Sequence, residues 1–312
     1  MKNLIGILIV GLLISSCSKE KRSEKAAEKM REFVIELSDY TKSQDPNFLV
    51  IPQNGIELCF NFEDPADGLS SSYLSAIDGV GIEELYFNAG TVADDGRIEM
   101  ARQIKATKPV LVADFANPNS QVTSSFNLND AEGFMAFPRS STGYDYQLIP
   151  DSVHNENSDN IVSLSQAQNY LYLISTSNFA TKAAFLSAIA ATNFDVVLID
   201  LFYEDTQLTL SEVNSLKTKA NGGQRLVIAY MNVGAAESYR YYWQDDWKLH
   251  KPRWLKKPYD GYEDEIWVKF WKKDWKEVIY GNDDSYTKRI INSGFDGAYL
   301  DNVEVYYFLY FD

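Results

Sequence analysis

"GFDGAYLDNVE", residues 294–304, is a short apolar run that delivers an aspartate, Asp301, at its tip, with Glu304 close behind. A run this short and this apolar reads as a strand buried on both faces, as in a parallel sheet. A (β/α)8 barrel presents its catalytic groups at the C-terminal ends of such strands. Asp301 nonetheless stands only eleven residues before Asp312, the last residue of the sequence, which leaves no room after it for the rest of a barrel.

Similar apolar runs occur along the chain: "FLVIP" (48–52), "IDGVG" (77–81), "PVLVADF" (109–115), "GFMAF" (133–137), "YLYLIS" (170–175), "FDVVLIDLF" (194–202), "RLVIAYMNV" (225–233) and "IWVKFW" (266–271). Helix-like segments at 97–106, 179–191, 207–220 and 283–293 separate several of them. Strands alternating with amphipathic helices imply an α/β fold with a parallel sheet covered on both faces. Eight or nine such units predict a (β/α)8 TIM-type barrel. The polar stretch 139–165 reads as a connecting loop.

The N-terminus follows other rules. Lys2, an apolar stretch from Leu4 to Ile14, then Ser15-Ser16-Cys17 make a secretory signal, too short for a transmembrane span. Ending on cysteine, "LISSC" resembles a bacterial lipoprotein signal, in which Cys17 is acylated. The expected organisation is a signal peptide at 1–16, a solvated tether at 17–22 and one barrel domain at 23–312. Ser23 is a plausible N-cap for a helix running to Tyr40, with Met30, Phe33, Val34 and Leu37 on one face. The expected location is the bacterial cell envelope, periplasm-facing or at the cell surface, with a membrane contact through the lipid on Cys17.

Composition narrows the chemistry. A net charge of −15 argues against nucleic acid, whose binding depends on Lys and Arg. Two histidines exclude a His-rich metal site and make a Ser-His-Asp triad improbable, so neither metal nor cofactor is expected and acid–base work falls to carboxylates. Cys59, the other cysteine, reads as a small buried hydrophobe. Twenty tyrosines supply side chains that stack on sugars.

The strand ends collect a specific set: Gln53 and Asn54, Glu83 and Glu84, Asp114, Asp200, Glu237 with Arg240, and Asp301 with Glu304. Tyr230 and Trp243 are added as aromatic substrate contacts, with Trp247 and Trp254 also placed to wall a groove. Each has a plainer reading. A strand-end Asp can cap the next helix, Glu237 and Arg240 can be a salt bridge on one turn, and tryptophans can be packing. So many carboxylates at one mouth repel one another, which calls for a use or a cationic partner.

"RLVIAYMNVGAAESYRYYW" (225–243), "PRWL" (252–255), "IWVKFWKKDW" (266–275) and "SGFDGAYLDNVEVY" (293–306) resemble glycoside hydrolase family 114, the endo-α-1,4-polygalactosaminidases. In that family this block fills the first two-thirds of a (β/α)8 barrel. Look-alikes of the later strands stand here at the N-terminus: "FLVIPQNG" (48–55), "IDGVGIEELYFN" (77–88) and "TKPVLVADF" (107–115). The resemblance is thus to a circular permutant, with the helix at 23–40 supplying the one that should follow the strand of Asp301.

The resemblance implies a two-carboxylate, retaining glycosidase acting on an amino-sugar polymer, with Asp301 as nucleophile and Glu83 as acid/base. It places Asp200, Glu237 and Asn54 along the sugar subsite. Which of Glu83 and Glu84 points inward stays open. Relatives typically read Gly-Glu-Ala-Glu where this chain has Gly234-Ala235-Ala236-Glu237, so one carboxylate is missing at Ala235. A non-catalytic carbohydrate-binding lipoprotein on the same barrel is the alternative; a structural envelope lipoprotein would have a plugged mouth. A helix following Asp301's strand starts at the catalytic face, which would turn the mouth toward the membrane.

Overall fold

The computed structural model describes residues 3–117, 119–140, 144 and 146–311, with only the backbone of 3–17 and 119. The Cys17 side chain and residues 1–2 of the expected signal therefore lie outside the described residues.

Helix α1 (Asn3–Gln44) corrects two expectations. Residues 18–22 are helical rather than an extended tether, and Ser23 lies inside the helix rather than capping it. "SKEKRSEKAAEK" holds neither Gly nor Pro and is rich in strong helix formers, so nothing in it interrupts a helix. Ala26, Ala27, Met30, Phe33, Val34 and Leu37 bury one face. The Arg31 guanidinium reaches the carbonyls of Leu58 (2.9 Å) and Phe60 (2.6 Å) and ties the helix to the segment after the first strand.

The fold is mixed α/β and is built on eight parallel strands: β1 (Leu49–Pro52), β2 (Val80–Asn88), β3 (Val110–Phe115), β4 (Met135–Ala136), β5 (Tyr170–Leu173), β6 (Val196–Asp200), β7 (Leu226–Asn232) and β8 (Gly297–Asp301). Five form one parallel sheet in the order β1-β8-β7-β6-β5, and β2-β3-β4 form another. The β8 strand thus lies between β7 and β1, the first strand of the chain. A parallel bridge between Gln53 and Gly81 joins the two sheets, and the Asn54 amide donates to the Gly81 carbonyl (2.8 Å). Gly81 is required there, because a Cβ would collide with the Tyr299 ring of β8. At the other seam, Phe137 packs on Tyr170 (5.7 Å between ring centres) and Tyr146 stacks on Tyr172 (3.7 Å).

The expected helices appear as α3 (Asp95–Lys105, after α2, Ser71–Ala76) and, shortened, as α5 (Lys182–Ala190, after α4, Asn119–Glu132), α6 (Leu210–Leu216) and α8 (Tyr286–Asn292, after α7, Lys273–Ile279). The short α9 (Val305–Phe308) follows β8. "IWVKFW" is not a parallel strand. Its first part belongs to Tyr262–Val268, which pairs antiparallel with Leu255–Tyr259 across an Asp260-Gly261 turn and with Ala235–Glu237 on its other side. The loop 139–165 is, over its described residues, largely irregular, as expected. It is held by Asn157, whose amide donates to Asp195 (3.0 Å) beside the fully buried Lys219–Asp195 ion pair (2.7 Å).

Candidate active site

The ends of β1, β2, β6, β7 and β8 open into one cavity of about 1610 Å³. Asn54, Glu83, Asp200, Tyr230, Glu237, Arg240, Asp301 and Glu304 all line it. Glu20, Ser23, Glu24 and Ala27, from the middle of α1, line it too.

Asp301 ends β8. Its Oδ2 accepts from the Tyr230 hydroxyl (2.5 Å) and its Oδ1 from the Asn302 amide (2.8 Å). Burial, with the Glu83 charge adding to it, lifts the Asp301 carboxyl to about 7 despite those bonds. Glu83 sits where the pairing of β2 with β3 breaks off, and Glu84, the next residue, turns into the left-handed region (φ 54°). That turn sends the two acids to different partners. The Glu83 carboxylate accepts from the Tyr146 hydroxyl (2.5 Å) and from the Asn54 amide (3.2 Å). Glu84 binds Arg139 (2.7 Å), Asn88 (2.7 Å) and Tyr144 (2.8 Å). Glu83 is therefore the carboxyl grouped with Asp301, and burial holds its pKa above the usual range against those hydrogen bonds.

Asn54 is the hinge of the group. Its backbone is left-handed (φ 59°), and its side-chain Oδ1 accepts from the Glu83 backbone amide (2.9 Å) while its side-chain NH2 reaches Glu83 (3.2 Å) and Glu304 (3.3 Å). Glu304 is carried well above a normal carboxyl by burial and by Asp301, and its buried Oε2 has no hydrogen-bond partner among the described residues. Three buried carboxyls thus line one cavity, and burial disfavours the ionised form of each.

Asp200 and Glu237 are brought into the cavity, but with their charges offset. Arg240 donates to both oxygens of Asp200 (2.9 and 2.7 Å) and to both of Glu237 (2.8 and 3.3 Å). Tyr239 adds a bond to Glu237 (2.6 Å). The salt bridge of Glu237 with Arg240 is present, and both residues line the cavity. Trp243 is not among the cavity residues. It packs edge-on against Trp247, which continues through Trp254 to buried Trp275, so the packing reading of these tryptophans holds. Asp114 is wholly buried beneath the site, accepting from the amides of Tyr86 (2.9 Å) and Phe87 (3.3 Å), from Ser125 (2.6 Å) and from Asn129 (3.2 Å). Ala235 is buried opposite Trp267 and is not among the cavity residues.

Two contributors escaped the sequence reading. Glu265 stands directly opposite Glu237 in the antiparallel ladder, takes a bond from Asn232 (3.0 Å) and is pushed up to about 8 by burial, with Glu237 and Asp301 adding. Its signal was the acidic run "YEDE" leading into apolar "IWV" after an Asp-Gly turn. Tyr146 comes from the loop taken as a plain connection.

Among the residues around the cavity are fifteen Asp and Glu against two arginines, Arg97 and Arg240, so its field favours a cationic ligand. Paired buried carboxyls in a deep, tyrosine-lined cavity at parallel strand ends are the equipment of a glycoside hydrolase. Residues 155–309 match the model of "Glycoside-hydrolase family GH114", and over that stretch the chain belongs to glycoside hydrolase family 114. The chain is 33% identical over 160 residues to an uncharacterized protein of Methanocaldococcus jannaschii, covering 51% of this chain and 44% of that protein. It is 33% identical over 121 residues to one of Thermotoga maritima (37% and 34%) and 36% identical over 122 residues to one of Deinococcus radiodurans (39% and 37%). The matched stretches span less than half the length of each relative. Asp200, Glu237, Arg240, Glu265, Asp301 and Glu304 lie inside the family match; Asn54, Glu83 and Tyr146 lie outside it.

Proposed function

We propose that the protein hydrolyses α-linked galactosamine-type polysaccharide by a two-carboxylate, retaining mechanism. The observation that carries this reading is the meeting of Asp301 and Glu83, distant in sequence, as two buried carboxyls on one cavity, with burial raising both and the Glu83 charge adding to the rise at Asp301. Asp301, ionised, attacks the anomeric carbon as the glycosidic C–O bond breaks, and Glu83 gives its proton to the leaving oxygen. Glu83, now ionised, then takes a proton from water. That water displaces Asp301 from the sugar and restores both groups. Tyr230 and the Asn302 amide hold the nucleophile; Asn54 and Tyr146 hold the acid.

The acidic lining supports an amino sugar carrying ammonium groups. With Asp200 and Glu237 occupied by Arg240, that recognition falls to the other acids around the cavity, such as Glu204, Asp205, Glu263 and Asp264.

We read the two parallel sheets as arcs of one closed (β/α)8 barrel whose chain order is rotated relative to the family. The Gln53–Gly81 bridge, the Phe137–Tyr170 contact and the seat of β1 beside β8 support this. Export with a lipid on Cys17 belongs to the same proposal, and the place of Glu20, Ser23 and Glu24 at the mouth supports a membrane-facing site. Proton NMR of products from α-1,4-linked galactosamine oligomers tests the activity. The α-anomer is expected first; the β-anomer first would exclude retention, and unchanged oligomers would exclude the activity.

A further inference from the structure

The cavity is larger than a single sugar unit needs, since sites of roughly 300–1,000 Å³ already enclose drug-sized ligands. Its outer wall is aromatic. Tyr306, Tyr307, Phe308 and Phe311 line it, and Tyr307 remains 46% exposed although its ring is stacked on Phe311 (4.7 Å between centres, 23° between planes). Phe308 stacks on Trp267 (5.3 Å, 18°), Trp267 on Tyr259 (3.8 Å, 23°), and Tyr259 lies 4.6 Å from Tyr262. The series starts beside the reacting carboxyls, where the Tyr259 hydroxyl donates to the Asn302 side chain (3.3 Å), and ends at Tyr307 and Phe311. The segment is fastened: the Lys257 ammonium donates to the carbonyls of Phe308 (3.3 Å) and Phe311 (3.4 Å). Ser23 of α1 donates to the Tyr306 carbonyl (3.3 Å), which brings Glu20 and Glu24 to the same end of the cavity.

We propose that this outer end, between residues 20–27 of α1 and the segment 306–311, is a secondary subsite for a distal unit of an amino-sugar polymer. The proposal rests on the glycosidase reading and adds how a long substrate is held. An aromatic face receives the C–H face of a sugar ring, and the same ring face attracts an ammonium group. Glu20 and Glu24 add negative charge beside it. A neutral glycan would gain only the stacking; an amino sugar gains both. Tyr307 carries the contact, because its ring is the exposed member of a fixed stack.

The test is calorimetric binding to the full chain carrying Asp301→Asn, so that turnover cannot consume the ligand. The probes are a long α-1,4-galactosamine polymer and a short oligomer of the same sugar. The polymer is expected to bind more tightly, and Tyr307→Ala is expected to cost about threefold to tenfold of polymer affinity, matching a cation–aromatic contact. Tyr307→Phe keeps the ring and should keep the affinity. Glu20→Gln with Glu24→Gln, on the exposed side of a helix, should weaken polymer binding and reduce its salt sensitivity. Equal affinity for long and short ligands, no binding, or a Tyr307→Ala protein that binds polymer as before would each overturn the subsite. Turnover by the wild-type protein, measured separately, decides the activity; a hydrolase without length preference would lose this inference alone.

Discussion

Burial, with the Glu83 charge adding to it, lifts the Asp301 carboxyl to about 7. A nucleophile must be ionised to attack, so kcat/KM is expected to rise with pH through about 7 rather than through the ordinary carboxylate range. The limb belongs to the coupled carboxyls together. Glu83→Gln removes a neighbouring negative charge, so the Asp301 titration, followed by carboxyl 13C NMR, should move down in pH; an unmoved titration would separate the two groups. Arg240 makes the opposite kind of statement. Arg240→Met strands two buried carboxylates and is expected to cost roughly 3–5 kcal/mol of stability, read from denaturant unfolding. Much of this scale was legible in sequence. Asp200, Glu237 and Asp301 announce themselves as acids at or just past the ends of apolar strands. Glu265 and Tyr146 do not, because a hairpin and a loop bring them in through tertiary folding.

Helix α1 is the element that joins fold and site. Its buried face is made of alanines and large apolar residues, with Phe33 packed edge-on against Phe270 (5.9 Å) and Tyr280 (5.3 Å). Phe33→Ala is expected to cost roughly 3–5 kcal/mol, since the surrounding rings cannot close the gap; a loss below 1 kcal/mol would mean that the helix is not part of the core. The 3.6-residue pattern of Met30, Phe33, Val34 and Leu37 made this face readable. Its extent was not, because the charged stretch 18–22 looks like a tether and is also strongly helix-forming. The antiparallel hairpin was missed for a different reason. "IWVKFW" is as apolar as a barrel strand, and only the Asp260-Gly261 turn and the acidic run "YEDE" before it mark a hairpin strand with a wet end.

At the scale of the whole molecule, β8 is flanked by strands from both ends of the chain, β7 from late in it and β1 from early in it. A strand so placed is internal, and its amides at 298–300 are expected among the slowest to exchange with deuterium; fast exchange would contradict the seat of β1. The position of α1 at the mouth also has a consequence for the proposed anchor. Linked to a bilayer through Cys17, the protein is expected to cleave short oligomers as the soluble form does and long polymer more slowly. Equal rates on both would place the mouth away from the membrane. The parallel strands and their acidic tips were legible from the sequence. The pairing of residues 250 positions apart, such as Asn54 with Glu304, was readable only through the likeness to a rotated family order.

The account turns on Asp301 and Glu83 acting as one pair. Its most direct test is release of reducing ends from α-1,4-linked galactosamine oligomers, acetylated and not, by the wild-type protein beside Asp301→Asn and Glu83→Gln. The expected result is turnover by the wild type and a loss of at least about a hundredfold in each variant. Wild-type turnover that survives either substitution, or none on any of these oligomers, would contradict it.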